Sequence, residues 1–290
     1  MRVLVTGFSG QLGSELKRLT DSSADFTFVD RQIMPLDQPA TFRAVFEEFR
    51  PAVFINTGAY TAVDKAESEP ELAYAVNATA VGALASLCKE FGVLLIHIST
   101  DYVFDGAANR PYLETDPVNP LGVYGASKEA GEQLALAYER AIVIRTSWVY
   151  SYYGKNFVKT MLRLLREKES LGVVNDQVGR PTYAADLASA ILDIVRQYSA
   201  LSDKQRLSDP RFHGIYHYAN QGAITWYDLT VAIGRIINSS CQIRPIATAE
   251  YPTPAKRPAN SVLNTSKIEL LFGLDIPLWE DSLKACLSRF

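Results

Sequence analysis

Tyr124-Gly125-Ala126-Ser127-Lys128 stands at the head of a helical-looking run that reaches about Arg140. A tyrosine and a lysine four residues apart on a helix lie one above the other on the same face, so a phenol and an ammonium can share one cleft. A cation held beside a phenol favours the phenolate and pulls its pKa below the ordinary value of about 10. The pair is an acid/base device if that face looks onto a ligand, and a solvated surface pair if it does not. The elements before it in the chain decide between the two.

Residues Arg2 to Thr6 are a short apolar run with β-branched residues, and Gly7-Phe8-Ser9-Gly10-Gln11-Leu12-Gly13 follows at once. Leu12, Leu16 and Leu19 then recur on one side of a helix. Strand, glycine-rich turn and helix is the order a dinucleotide site needs. Gly7, Gly10 and Gly13 allow a tight turn and a close backbone approach to a pyrophosphate, which the helix N-terminus holds with free N–H groups. The spacing is Gly-x-x-Gly-x-x-Gly rather than the commoner Gly-x-Gly-x-x-Gly, and a glycine turn that merely caps a strand would read the same way. A second strand, Phe26 to Val29, ends in Asp30-Arg31, about twenty residues past the turn. An acidic residue there binds the ribose hydroxyls of NAD, and a neighbouring arginine accepts the 2′-phosphate of NADP. Both residues are present, so NADPH and NADH stay open. Asp37 precedes a helix with Phe42, Val45, Phe46 and Phe49, where capping is the favoured role and proximity to an adenine the other.

Strand three, Ala52 to Asn56, leads into Thr57-Gly58-Ala59-Tyr60-Thr61 at the edge where α/β sheets hold ligands. A long helix over Pro70 to Phe91 returns the chain to strand four, Val93 to Ser99, which is apolar almost throughout, as for a strand covered on both faces. His97 within it reads as a core residue rather than a ligand. Strand four delivers Thr100 and Asp101 to the ligand edge, and strand Ala141 to Thr146 delivers Ser147-Trp148. This βαβ rhythm predicts a doubly wound, Rossmann-type parallel sheet. It divides the chain into a dinucleotide-binding part, 1–150, and a smaller substrate lobe, 151–290, interleaved with the end of the sheet. In the second part, helices are expected at Asn156 to Lys168, Tyr183 to Tyr198, from Thr225 with Asp228 as a near capping box, and at Trp279 to Leu287. Ser199 to Phe212 reads as a surface loop or partly helical insertion.

With 29 basic against 32 acidic residues, the net charge of -3 offers no footprint for nucleic acid or an anionic membrane. Cys88, Cys241 and Cys286 are few, odd in number and far apart, which suits reduced packing residues in a cytoplasmic protein. His97, His213 and His217 form no cluster with metal-ligand spacing, so no metal is expected. The N-terminus enters a strand directly, without a leader pattern, and no apolar run reaches about 18 residues.

The glycine turn, the hydroxyl segment after strand four and Tyr124-x-x-x-Lys128, in that order, resemble the extended short-chain dehydrogenase/reductase family. Asn56 to Glu67, Ser99 to Gly106, Tyr124 to Lys128, Arg145 to Tyr150, Gly179-Arg180-Pro181-Thr182 and Arg257 to Ser261 are similar to signature segments of its dTDP-4-dehydrorhamnose reductases. The resemblance spans essentially the whole chain. It implies reduction by NADPH or NADH of the C4 ketone of a dTDP-4-dehydro-6-deoxy sugar, the last step of dTDP-rhamnose biosynthesis. In that chemistry Tyr124 would protonate the alkoxide, Lys128 would hold the nicotinamide ribose and lower the Tyr124 pKa, and Thr100 would bond the reacting oxygen. Asp101 and Trp148 would contact the sugar nucleotide. Gly10, Gln11, Leu12, Asp30, Asp37, Ala59, Tyr60 and Thr61 would contact the cofactor. Some members of the family dimerise through magnesium held by acidic residues of the second half; those ligands have no counterpart placed here, and a homodimer is left open.

Two other readings share the motifs. A 4-epimerase or 4,6-dehydratase would use Tyr124 and Lys128 but keep a tightly held NAD, and a dehydratase needs an acidic pair after the threonine, where this chain has Asp101-Tyr102. A non-catalytic regulatory subunit, like that of methionine adenosyltransferase, would keep the fold and need none of Thr100, Tyr124 and Lys128.

Overall fold

The computed structural model describes residues 1–22 and 24–290. Six parallel strands form the main sheet: β1 (Arg2–Thr6), β2 (Asp25–Val29), β3 (Val53–Asn56), β4 (Leu94–Thr100), β5 (Ala141–Thr146) and β6 (Gly214–His217). Their spatial order is β2-β1-β3-β4-β5-β6. Every neighbouring pair runs parallel, with Val5 beside both Phe28 and Ile55 in the register.

The strands are apolar because both faces are covered. Val3, Val5, Ile55 and Ile96 point to a layer made by α1 (Gln11–Leu19) and a later helix over Ala184–Ala200. Leu4, Phe54, Leu95 and Val143 point to the opposite layer, which contains α2 (Phe42–Phe49), α3 (Pro70–Phe91) and α4 (Val123–Leu136). Burying a Leu or Phe side chain in this way is worth about 1.5–3 kcal/mol each. The α3 segment is long and apolar enough to cross a membrane by length and composition, but it packs on the sheet, with Leu84 and Cys88 fully buried. It is not one regular helix: Ala75–Thr79 forms a π turn inside it.

From β1 the chain steps outward to β2 and then crosses back to β3 on the other side of β1. That reversal opens a crevice at the carboxyl ends of β1 and β3, where open α/β sheets bind ligands. Gly7 and Gly58 meet there: a Cβ on Gly7 would lie 2.7 Å from the Gly58 nitrogen, and Gly7 has φ +73°.

Beyond β5 the chain both builds a second lobe and returns to the sheet. The lobe holds α5 (Phe157–Glu167), α6 (Ala184–Ala200) on its border, α7 (Trp226–Ile236) and α8 (Trp279–Leu287), around a core that includes Tyr150, Met161, Leu229, Ile233 and Leu283. Asn156 caps α5 by accepting from the Lys159 N–H at 3.0 Å. Thr225 and Asp228 form a reciprocal capping box on α7. The α6 helix, however, also covers the sheet next to α1, and β6 extends the sheet beside β5. Fully buried Glu15 of α1 ties the halves together, accepting from Arg289 at 2.6 Å and Ser151 at 2.7 Å. Within Ser199 to Phe212, Asp203–Ser208 is a short helix capped by Ser202. All three cysteines are buried and unpaired.

Candidate active site

A cleft of about 690 Å3 runs along the carboxyl edge of the sheet. It shares Gly7, Ser9, Gly58 and Ala59 with a second recess of about 320 Å3 that extends toward β2. Together they suit one extended ligand with a second beside its end, rather than a single small molecule.

The floor of the shared part is the glycine turn. Gly10 is the N-cap of α1 and offers no side chain to its amides, and the first backbone bond back to Gly10 comes from Ser14 at 3.0 Å. The first-turn N–H groups of Gln11, Leu12 and Gly13 are therefore left by geometry for an anion. Gly10, Gln11 and Leu12 line the cleft. Gly13 does not: its place is structural, since a Cβ there would sit 2.4 Å from the Gly7 carbonyl oxygen. The Gln11 side chain turns toward the second lobe, donating to the Val149 carbonyl at 3.3 Å and accepting from Asn156 at 2.9 Å.

Asp30, Arg31, Asp37, Ala59 and Tyr60 line the smaller recess. Asp30 Oδ1 accepts from the Gln32 and Ile33 N–H groups at 2.8 and 3.2 Å, which fixes the carboxylate at the end of β2. Asp37 caps no helix. The turn before α2 begins after Gln38, and neither it nor α2 has a side-chain cap, so Asp37 stays on the recess wall. Thr61 lines the larger cleft, while Tyr60 is clamped by Asn77 of the π turn, whose amide accepts from the Tyr60 N–H at 2.9 Å and donates to the Tyr60 carbonyl at 3.1 Å. Asn77 also donates to Ser127 Oγ at 3.0 Å, which locks this loop to α4. The residues present thus fit a dinucleotide: backbone donors at a helix start, a fixed carboxylate at the end of β2, and a basic neighbour.

At the far end of the cleft, Thr100, Asp101, Tyr124, Lys128 and Trp148 converge. The Thr100 hydroxyl donates to Asp101 Oδ1 at 3.1 Å and accepts from the Tyr102 N–H at 3.2 Å. Burial pushes the Asp101 carboxyl up to about 6, against the opposing pull of the Ser261 and Thr100 hydroxyls. Tyr124 is only half-buried as a residue, but its phenol end lies deep in protein, and the Tyr102 ring packs edge-on against it at 5.5 Å.

The phenol corrects one expectation. Burial, with a smaller push from the Asp101 charge, raises the Tyr124 pKa to about 12 instead of lowering it, although Thr100 acts in the other direction. Lys128 is buried, and its Nζ is turned to the Ile98 carbonyl at 2.7 Å and to His97 Nε2 at 3.3 Å. Burial lowers the Lys128 pKa to about 8. Lys128 keeps most of its charge at neutral pH, but its Nζ is turned to β4 and does not offset the burial of the phenol. What results is a phenol that stays protonated at neutral pH, the form an acid must have before it gives its proton.

The aromatic wall was only partly foreseeable. Trp148 stacks on Trp226 of α7, and Phe157 of α5 leans on the other indole at 4.5 Å. Gln177 accepts from Trp226 Nε1 at 3.2 Å. Arg257 and Asp64, 2.9 Å apart, tie the second lobe to the segment after β3. Arg257 lies in one of the segments that carry the family resemblance, whereas nothing in the local pattern around Trp226 or Gln177 marks a ligand site; Trp226 follows a helix cap and reads as a packing residue.

Comparison with known proteins gives one consistent result. The family model described as "RmlD substrate binding domain" matches residues 1–290. A dTDP-4-dehydrorhamnose reductase of Aggregatibacter actinomycetemcomitans is 40% identical, over 98% of this chain and 97% of that protein. Among solved structures, a dTDP-4-dehydrorhamnose reductase of Bacillus anthracis in complex with NADP superposes with a TM-score of 0.91 at 35% identity, covering 100% of this chain and 99% of the other. The corresponding Clostridium acetobutylicum protein gives 0.91 at 37% identity, over 100% and 99% of the two chains.

Proposed function

The chain belongs to the RmlD family of dTDP-4-dehydrorhamnose reductases, and from that premise and the geometry of the cleft we infer how it works. It reduces the C4 ketone of dTDP-4-dehydro-β-L-rhamnose to dTDP-L-rhamnose at the expense of NAD(P)H, the last step of dTDP-rhamnose biosynthesis.

The observation that carries the mechanism is the convergence of Tyr124, Thr100 and Asp101 on one end of a cleft whose other end is the glycine turn. A reduced nicotinamide, when bound, would supply the hydride. The first turn of α1 would hold its pyrophosphate, Asp30 and Arg31 would meet the adenosine ribose, with Asp37, Ala59, Tyr60 and Thr61 around it, and Lys128 would meet the nicotinamide ribose. Thr100, turning its one hydroxyl proton away from Asp101, would donate a hydrogen bond to the C4 oxygen, and Tyr124 transfers its phenolic proton to that oxygen as it becomes an alkoxide. A phenol pushed up to about 12 is fully protonated at the start, which suits reduction. Asp101 accepts a sugar hydroxyl, and Trp148 offers an apolar plane and one N–H.

The near-neutral balance of 29 basic and 32 acidic residues supports a protein without nucleic-acid or membrane partners, and three buried unpaired thiols suit a reducing cytoplasm. The test is absorbance at the nicotinamide band with dTDP-4-dehydro-L-rhamnose generated in situ. One mole of NADPH or NADH oxidised per mole of deoxyrhamnose product supports the reading. No oxidation of either, by folded protein that binds nucleotide, refutes it and favours the binding-subunit alternative.

A further inference from the structure

His97 lies in the middle of β4, fully buried, and the reduction described above makes no use of it. Its hydrogen bonds nevertheless fix its protonation state. The Gly58 backbone N–H donates to Asn56 Oδ1 at 3.2 Å, and the Thr6 hydroxyl donates to the same oxygen at 2.9 Å. A backbone amide can only donate, so the Asn56 side chain cannot be turned the other way, and its Nδ2 is the atom 3.1 Å from His97 Nδ1. Nδ1 must accept. A neutral imidazole then carries its one proton on Nε2, and an imidazolium would set two donors against each other. Burial also holds the His97 pKa well below its ordinary value.

The Nε2–H so defined faces Lys128 Nζ at 3.3 Å, while Lys128 donates to the Ile98 carbonyl at 2.7 Å. An ammonium would oppose that N–H with one of its own; an amine would receive it on its lone pair. Other charges do not rescue the ammonium. Glu132, one turn along α4, favours the ammonium but is paired with Arg145 of β5 at 2.6 Å and is outweighed by burial, Asp101 is bonded by Thr100, and the phenols of Tyr124 and Tyr102 are neutral at ordinary pH.

We propose that His97, with its tautomer set by Asn56, is a positioning residue that holds Lys128 as a readily deprotonated amine, so that cofactor binding is coupled to uptake of a proton by Lys128. Ribose hydroxyls and the pyrophosphate charge favour the ammonium, and they arrive only with the dinucleotide. This inference rests on the assignment of Lys128 to the cofactor, made above.

The test uses cofactor-free protein carrying 13C-labelled lysine, with Lys128→Met identifying the signal. In the unaltered protein Lys128 is expected to titrate near 8, lowered by burial. His97→Asn keeps an acceptor for Asn56 but cannot reach Nζ, and raises that midpoint by about one pH unit; His97→Gln, whose amide can occupy the place of Nε2, restores most of the difference. Calorimetry of NADPH binding near pH 8.5 in buffers of different ionisation enthalpy shows proton uptake that falls roughly threefold in His97→Asn. An unchanged midpoint in a folded His97→Asn protein, or a Lys128 that titrates above about 10 without substitution, overturns the proposal. The titration needs no sugar and no turnover, so its failure and that of the reductase reading are separate events.

Discussion

The indole of Trp148 lies face to face with that of Trp226, the ring centroids 3.5 Å apart and the planes within 7° of parallel. Trp148 sits at φ +49°, a left-handed conformation that costs a bulky residue on the order of 1–3 kcal/mol and recurs at ligand sites. Its ring edge also occupies the space of a missing side chain: a Cβ on Gly179 would be 2.5 Å from the indole. The stack and that glycine hold an aromatic plane over the sugar end of the cleft.

Replacing Trp226 by Ala removes the support but none of the groups assigned to the cofactor. An aromatic pair is worth about 0.5–1.5 kcal/mol beyond its burial, so KM for the sugar nucleotide rises about 3- to 10-fold while the NADPH Kd stays unchanged. Steady-state kinetics with either substrate varied checks this. Equal loss of both affinities would place Trp226 in the general packing of the lobe.

Gly13 has a different role from its neighbours in the turn. A Cβ there meets the Gly7 carbonyl oxygen at 2.4 Å and the Phe8 Cα at 2.4 Å, both backbone atoms that cannot swing aside. Gly13→Ala therefore pushes α1 off β1 at a cost of about 1–3 kcal/mol, a fall of about 2–6 °C in Tm, with weaker dinucleotide binding. A thermal scan with and without NADPH measures both effects; an unchanged Tm contradicts the packing role.

The strand-turn-helix at Arg2 to Leu19 and the pair Tyr124 and Lys128 were legible because each depends on short-range spacing. The spacing placed both residues on α4 and both at the cleft. It could not say which way Nζ points, because the groups it meets, the Ile98 carbonyl and the His97 imidazole, lie on β4, far from Lys128 in the chain. The sign of the Tyr124 shift was lost with it, since burial and Asp101 outweigh a lysine turned away. For Asp37 sequence proximity favours a helix cap and the family resemblance a cofactor contact; the short turn over Pro39–Thr41 intervenes before α2 and leaves Asp37 on the recess wall. The π turn at Ala75–Thr79 is equally silent in an apolar run such as Pro70 to Phe91, although it aims Asn77 at Tyr60 and Ser127.

Asp101 should make stability depend on pH. Its carboxyl ionises at about 6 in the folded chain against 3.8 ordinarily, so the neutral form favours folding. The stabilisation is complete below about pH 4 and is lost as pH rises through about 6. Asp101→Asn escapes that loss. At pH 7 it should exceed the unaltered protein in stability by about 2–3 kcal/mol, and the gap should close toward pH 4, while its affinity for the sugar nucleotide falls. Urea unfolding at several pH values checks the trend; a gap that widens toward low pH contradicts the buried neutral acid.

The proton donor is the central claim, and single-turnover reduction by Tyr124→Phe tests it most directly. Phenylalanine keeps the ring that packs on Tyr102 at 5.5 Å, so fold and NADPH affinity should persist. With NADPH bound and dTDP-4-dehydro-L-rhamnose added, the rate of nicotinamide oxidation should fall by about 10²- to 10⁴-fold. A rate equal to that of the unaltered protein would show that the alkoxide takes its proton from another group.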